Sequence, residues 1–402
     1  MSIVSLGVLY LLVKESTEWR PIIGIARFYL PTRIIFGPGS LARLGAEAAK
    51  IGRRAILVTG TSSLRKAGVL DRVINDLKAN GVKVTVFDKV EPNPRVSTVD
   101  EGGKIARQEK ADLTIGLGGG SAMDAAKGIT LASSGTESIW RQVEAKLEIK
   151  EPVPSLILVP TVAASGSEAN NGAVITNWDT HEKRVLYSPY FFARVSIVDP
   201  ELTLTLPEKT TAQGGVDIFC HLAECYLTAE QTSPLTDGIM ETTMTMVVES
   251  LPQVLARPRD IEARTRLSWA STIACSQFTS LGGGAGVMTL HGIEHPLSGY
   301  YDIAHGDGLA ALLPAWMRYT FPVRSERFYR LGKKAFNEGD GILATEQWLE
   351  RVGMKLRLSA LGIELERLEE LAACAVATAP WLKYHPRLLN AATIKQIYQD
   401  SY

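Results

Sequence analysis

The chain has 402 residues, 46% of them hydrophobic and 21% charged, with Lys plus Arg equal to Asp plus Glu at 43 each. This composition excludes a disordered chain, and the balanced charge excludes a global field that would attract nucleic acid or an anionic membrane. The length accommodates two or three domains, two being the simplest arrangement.

In chain order, Ile3 to Val13 is strongly apolar but too short to span a bilayer. No basic residue precedes it and no small-residue cleavage site follows, so it does not read as a secretory signal. An extra strand, a dimer contact or a start codon placed too far upstream are the remaining readings, and residues 1–27 are treated as an extension. Apolar runs over residues 55–59, 82–88, 113–117 and 156–159 read as strands. Helical stretches follow through residues 74–78, over 98–108 and after Gly118-Gly119-Gly120-Ser121. Apolar strands interleaved with helices predict a parallel sheet covered on both faces.

From Leu206-Pro207 onward strand-like runs nearly vanish. Helical periods cover residues 239–255, 261–276, 308–319, 345–361 and 365–378. A boundary near Asp199-Pro200-Glu201 follows, with an α/β dinucleotide-binding domain over residues 28–204 and an all-helical domain over 205–402. A cleft is expected between them. Cys220, Cys225, Cys275 and Cys374 form no Cys-x-x-Cys pair, which points to a reducing compartment and a soluble cytoplasmic protein. Cys220 and Cys225 are expected in the core.

Three turns in the first half offer groups to a nucleotide. Gly118-Gly119-Gly120-Ser121 sits between a strand and a helix, where free N–H groups and the dipole favour an anion. It matches neither Gly-x-Gly-x-x-Gly nor a P-loop, so a phosphate cradle and a merely tight turn both remain open. Pro160-Thr161-Val162-Ala163-Ala164-Ser165-Gly166-Ser167-Glu168 follows another strand, and two such turns make a dinucleotide the better reading. The strand over residues 55–59 ends in Gly60-Thr61-Ser62-Ser63 without the acidic residue that binds a ribose diol. Gly60 leaves room, the three hydroxyls can donate, and Arg65 and Lys66 are nearby cations, which favours NADP(H) over NAD(H).

The second half carries the chemistry. Asp217 and His221 are four residues apart and share one face of a helix. His291, His295 and His305 follow some seventy residues on, in a stretch rich in glycine and apolar residues. One carboxylate with two or three imidazoles suits iron, zinc, nickel or copper. His181 and His385 fall outside the pattern and read as ordinary residues.

These segments together resemble the iron-containing (group III) alcohol dehydrogenases. The likeness runs from Phe28-Tyr29-Leu30-Pro31-Thr32 to near the carboxyl end. It rests on Gly-Gly-Gly-Ser-x-x-Asp-x-x-Lys ending at Lys127, Pro-Thr-x-x-x-Ser-Gly-Ser-Glu from Pro160, and Lys183 before Ser188-Pro189. It rests further on Asp199-Pro200, Asp217-x3-His221-x2-Glu224, and His291-x3-His295-Pro296 with His305-Gly306. The resemblance implies a dinucleotide-binding α/β domain with a helical metal-binding domain, the plan shared with dehydroquinate synthase, in a homodimer or larger oligomer. It implies ligation by Asp217, His221, His291 and His305. Fe2+ is the first choice, with Zn2+, Ni2+ and Co2+ also accepted by such ligands. Cofactor contacts are implied from Gly119, Gly120, Ser121, Thr161, Ser165 and Lys183, and the expected set also takes in Asn93, Asp124, Val162 and Ser167. His295 corresponds to a histidine beside the nicotinamide, a candidate for proton relay. The implied reaction interconverts a small primary alcohol and its aldehyde, with no nucleic acid or membrane partner.

Two departures from the family pattern carry expectations. Ala164 replaces a glycine, which predicts a less free backbone. Gly282-Gly283-Gly284-Ala285-Gly286 stands where bulkier residues are usual and predicts a roomier or more mobile pocket. The alternatives are a glycerol or polyol dehydrogenase, a dehydroquinate-synthase-like lyase, and a non-catalytic metal- or nucleotide-binding protein. The lyase calls for a basic phosphate-binding cluster that is not found near His291.

Overall fold

The computed structural model describes residues 28–145, 149, 152–230, 233–281 and 286–402. The apolar run near the amino terminus and Gly282 to Ala285 lie outside the described residues.

The first half forms a six-stranded parallel sheet in the order β1-β8-β5-β4-β2-β3. Its strands are β1 (Arg33–Phe36), β2 (Arg54–Gly60), β3 (Lys83–Val90), β4 (Leu113–Gly118), β5 (Ser155–Pro160) and β8 (Val195–Val198). An antiparallel hairpin, β6 (Gly172–Asn177) with β7 (Glu182–Tyr187), stands apart from it. Every residue of β4 is buried, as expected of a parallel strand covered on both faces. On one face pack helices α1 (Leu44–Ile51) and α2 (Val69–Ala79), whose Leu44, Leu70, Val73 and Leu77 meet the alternate residues Leu57, Ile115 and Ile157. On the other pack α3 (Val96–Gln108) and α4 (Gly120–Ala132) against Ile56, Val58 and Leu158. The chain turns outward from β2 to β3 and the opposite way from β4 to β5. The carboxyl ends of β2 and β4 therefore flank the point where the strand order reverses, which is where open α/β sheets bind ligands.

Beyond Val198 a 3-10 turn, Pro200–Thr203, leads into helices. These are α5 (Glu208–Thr228), α6 (Pro234–Ala256), α7 (Ile261–Ala274), α8 (Thr289–Tyr301), α9 (His305–Leu331), α10 (Gly341–Arg351), α11 (Leu368–Thr378) and α12 (Ala391–Asp400). They enclose one apolar core that includes Phe219, Tyr226, Leu290, Leu312 and Trp316, with Cys220 and Cys225 buried in it. The helix predicted over residues 345–361 is too long. It stops at Arg351 because Gly353 takes φ +70°, and the N–H of Met354 returns to Leu349 O at 2.7 Å. Strands β1 and β8, the hairpin and α8 are absent from the sequence expectation. The first two are only four residues long, the hairpin is polar (Glu182-Lys183-Arg184), and α8 carries Pro296 in its interior.

Among the described residues, no helix is long and apolar enough to cross a membrane.

Candidate metal centre and cofactor cleft

Three helices build the candidate metal centre. Asp217 projects from the middle of α5, His291 from the first turn of α8, and His305 from the first residue of α9. One ligand atom from each lies within 4.8 Å of the others. His291 Nε2 is 3.3 Å and His305 Nε2 4.0 Å from Asp217 Oδ1. His221 stands outside that trio but against it. Its ring stacks on His291 at 4.3 Å, and its buried Nδ1, which has no hydrogen-bond partner, is 3.6 Å from the same Oδ1.

These separations fit a cation. Ligands at about 2.1 Å from a tetrahedral ion lie about 3.4 Å from one another. An orphaned imidazole nitrogen aimed at a carboxylate is also what a metal between them would satisfy. His291 Nδ1 faces Glu224 and His305 Nδ1 faces Glu294, both fully buried carboxylates that can only accept. Each Nδ1 therefore carries a proton, and both Nε2 atoms are turned inward, the arrangement that orients metal-binding histidines. The His305 side chain retains 26% exposure while the others are nearly closed off, so the centre opens on that side.

Charges follow the packing. Burial works against ionisation of Asp217, but His221, His291 and His305 outweigh it and hold the carboxyl well below its usual range. Burial, reinforced by the neighbouring imidazoles, takes His221 down to about 3. For His291 burial is outweighed by Glu224 and Asp217, and its pKa is pushed up to about 10. Burial, followed by the charge of Lys183, drives His295 well below the ordinary imidazole value and keeps it neutral. The His295 ring is 6.0 Å from that of His305 and 6.4 Å from Trp381, beside the centre but outside the ligand trio.

Most of the residues expected to contact a dinucleotide gather at the ends of β2, β4 and β5, while Asn93 follows β3 and Lys183 lies on β7. Helix α4 begins at Gly120 with no side-chain cap, so its first N–H groups are unclaimed by any capping side chain. A Cβ on Gly120 would stand 2.8 Å from Ser165 Oγ, and one on Gly119 would stand 3.3 Å from Val162. The glycines thus let the β4 and β5 turns close on each other, with Ser121, Val162 and Ser165 partly open and Thr161 buried. Asp124 and Ser167 are bonded to each other at 2.6 Å, and Asp124 also accepts from Val174 N, so both brace the turn. Gly60 has only Val90 O within reach of a Cβ, at 3.5 Å, and Thr61, Ser62 and Ser63 are exposed. Arg65 is not a free cation: it pairs with Asp88 at 2.8 Å. Buried Lys183 donates to Asn93 Oδ1 at 3.0 Å and lies 3.8 Å from Glu294, joining the cofactor side to the metal side.

Ala164 is not among the residues with positive φ, so the glycine it replaces is not required by conformation. Its methyl lies against Gly214 of α5, where a Cβ would meet it at 3.3 Å. Gly286 does not open a pocket. A Cβ there would fall 2.1 Å from Cys225 O, so its missing side chain is demanded by close packing on α5. His181 is a hairpin residue stacked on Tyr300, and His385 is buried and bonded to Arg387 O. The sequence reading assigned no role to Glu224 and Glu294. The signal was present: Glu224 is one turn beyond His221 on the same face of α5, and Glu294 is three residues after His291.

The profile of the iron-containing alcohol dehydrogenase family matches residues 31–200, and that of the Fe-containing alcohol dehydrogenase C-terminal domain matches residues 211–402. NADH-dependent butanol dehydrogenase B of Clostridium acetobutylicum is 34% identical over 93% of this chain and 98% of its own length. NADPH-dependent aldehyde reductase YqhD of Escherichia coli is 31% identical over 85% of this chain and 92% of its own. The crystal structure of NADH-dependent butanol dehydrogenase A from Thermotoga maritima superposes with a TM-score of 0.89 at 32% identity, covering 94% of this chain and 99% of that one. With both halves matched and the three metal-facing helices in place, this chain belongs to the iron-containing alcohol dehydrogenase family.

Proposed function

We propose that the chain interconverts primary alcohols and their aldehydes with NADP(H) as hydride carrier and Fe2+ as its metal. Zn2+, Ni2+ or Co2+ are acceptable to the same ligands. The observation that carries the reading is the convergence of Asp217, His291 and His305 within 4.8 Å, with His221 stacked against them. A bound divalent ion would polarise the substrate oxygen, and the nicotinamide would supply or accept the hydride. Asp217 and the imidazoles hold the ion, and Glu224 and Glu294 fix the rings that hold it. The turns at Gly119–Ser121 and Thr161–Ser165 seat the dinucleotide. Neutral His295, whose ring makes no hydrogen bond to a described residue, is placed to pass a proton outward. The relatives named for butanol and aldehyde favour this reading over the lyase, polyol dehydrogenase and non-catalytic alternatives. The proposal keeps a cytoplasmic homodimer or larger homo-oligomer. Among the described residues β1 is an edge strand of the sheet, a face an assembly would cover.

Stripping the metal should abolish NADPH-linked reduction across an anaerobic aldehyde panel, and Fe2+ should restore it. A reloaded protein that binds NADPH yet reduces no aldehyde would count decisively against this function.

The dinucleotide choice rests on the end of β2, since one relative is named for NADH and another for NADPH. Gly60 has room for a side chain, so Gly60→Asp should fold normally and repel a 2′-phosphate. The NADP/NAD ratio of kcat/KM is expected to fall about tenfold or more, equivalent to about 1.4 kcal/mol. An unchanged ratio would show that NADP preference is not set there.

A further inference from the structure

Glu294 on α8 is fully buried and touches both halves of the molecule. Its Oε2 accepts from His305 Nδ1 and lies 3.8 Å from Lys183 Nζ, while Oε1 accepts from the Ser298 hydroxyl. Lys183, 6% exposed, comes from β7 on the cofactor side. Lys183 also donates to Asn93 Oδ1 at 3.0 Å, and Asn93 Nδ2 donates to Asp302 Oδ1 at 2.9 Å. Asn93 and Asp302 both hold φ at 52°, a left-handed conformation that non-glycine residues keep where their surroundings fix it. Gly308 of α9 closes the remaining side, since a Cβ there would stand 2.7 Å from Glu294 Oε1. The carboxylate is thus walled in and shared between a metal-facing imidazole and a cofactor-facing ammonium.

We propose that Glu294 is a positioning residue that couples the two cofactors. One carboxylate orients His305 for the metal and holds the Lys183 ammonium back from the dinucleotide, so that filling the metal site tightens dinucleotide binding. This rests on the reading of His305 as a ligand and Lys183 as a dinucleotide contact. His305 donates more strongly from Nδ1 once its Nε2 holds a divalent ion, and draws the charge of Glu294 toward itself. Lys183 is then less engaged by Glu294 and more available to the dinucleotide. Coupling between two binding sites is reciprocal, so the dinucleotide tightens the metal by the same factor.

The test uses the full chain, stripped of metal and reloaded with Co2+, with NADPH binding read by fluorescence on both forms. Cobalt is expected to lower the NADPH Kd at least about fivefold, the lower end of the usual range for coupled sites. In E294Q, which keeps the shape but not the charge, the ratio should fall to within about twofold of one. A ratio of one in the unaltered protein, or an unchanged ratio in E294Q, overturns the proposal. If E294Q takes up no cobalt, K183M decides. Lys183 is not a ligand, yet the cobalt Kd should fall about threefold or more as Glu294 turns wholly to His305. An unchanged or higher cobalt Kd in K183M overturns the coupling. Should the unaltered protein take up no cobalt, the metal reading itself fails and the coupling with it, a result distinct from a change in the ratio.

Discussion

His291→Ala is expected to lower kcat/KM at least about a thousandfold and to leave the purified protein nearly free of metal. Losing the ion removes several kcal/mol of charge stabilisation, and about 4 kcal/mol corresponds to that factor. His291 also stands between two buried carboxylates, with Nδ1 on Glu224 and Nε2 3.3 Å from Asp217. Without the ring these charges face a cavity, and leaving a buried charge unpaired costs about 3–5 kcal/mol. The variant should therefore melt well below the unaltered protein. His305→Ala separates the two effects, because the His305 side chain is 26% exposed and sits at the open side. It should lose metal and turnover to a similar extent with a smaller drop in Tm. Metal content by mass spectrometry, melting by circular dichroism and butanol oxidation decide the matter together. Near-normal rates in both variants would defeat the ligand assignment.

How much of this was legible in the residues varies with the kind of signal. The buried strands β2, β3, β4 and β5 are apolar runs bounded by glycine or polar turns, and the residues alone placed each of them to within two positions. Strand β8 is four residues long and becomes a strand by pairing with β1 and β5, a fact no local window contains. Lys183 was noticed only through family likeness. Its position depends on the polar hairpin folding back onto α8, where His181 meets Gly299 O at 3.2 Å. Asp217 and the histidines were legible because chemistry limits what such a set can do. Their distances depended on three helices meeting, and spacing carried no warning that His221 would stand outside the trio. The Asp124–Ser167 bond is likewise tertiary: both residues lie in motifs expected to touch cofactor, and no spacing shows that they also bond to each other.

The same distinction applies to Glu224, whose removal should cost both stability and metal. It is completely buried on α5 and accepts from the backbone N–H groups of Leu290 and His291 as well as from His291 Nδ1. Helix α8 has no side-chain cap of its own, so Glu224 caps it from the neighbouring helix and places negative charge at its positive end. Glu224→Ala leaves those N–H groups without their acceptor inside the core, at a cost of about 3 kcal/mol. It also frees His291 to rotate, and loss of such a supporting carboxylate lowers metal affinity about 10- to 100-fold. Glu224→Gln divides the two roles. Its amide oxygen still accepts one N–H, but its NH2 group turns a donor toward donors, so metal affinity should fall with a smaller loss in urea unfolding. Cobalt titration alongside urea denaturation reads both quantities. If Glu224→Ala retained the metal affinity of the unaltered protein, the ring of His291 would have to be held by α8 alone, and the carboxylate would be a helix cap with no part in the centre.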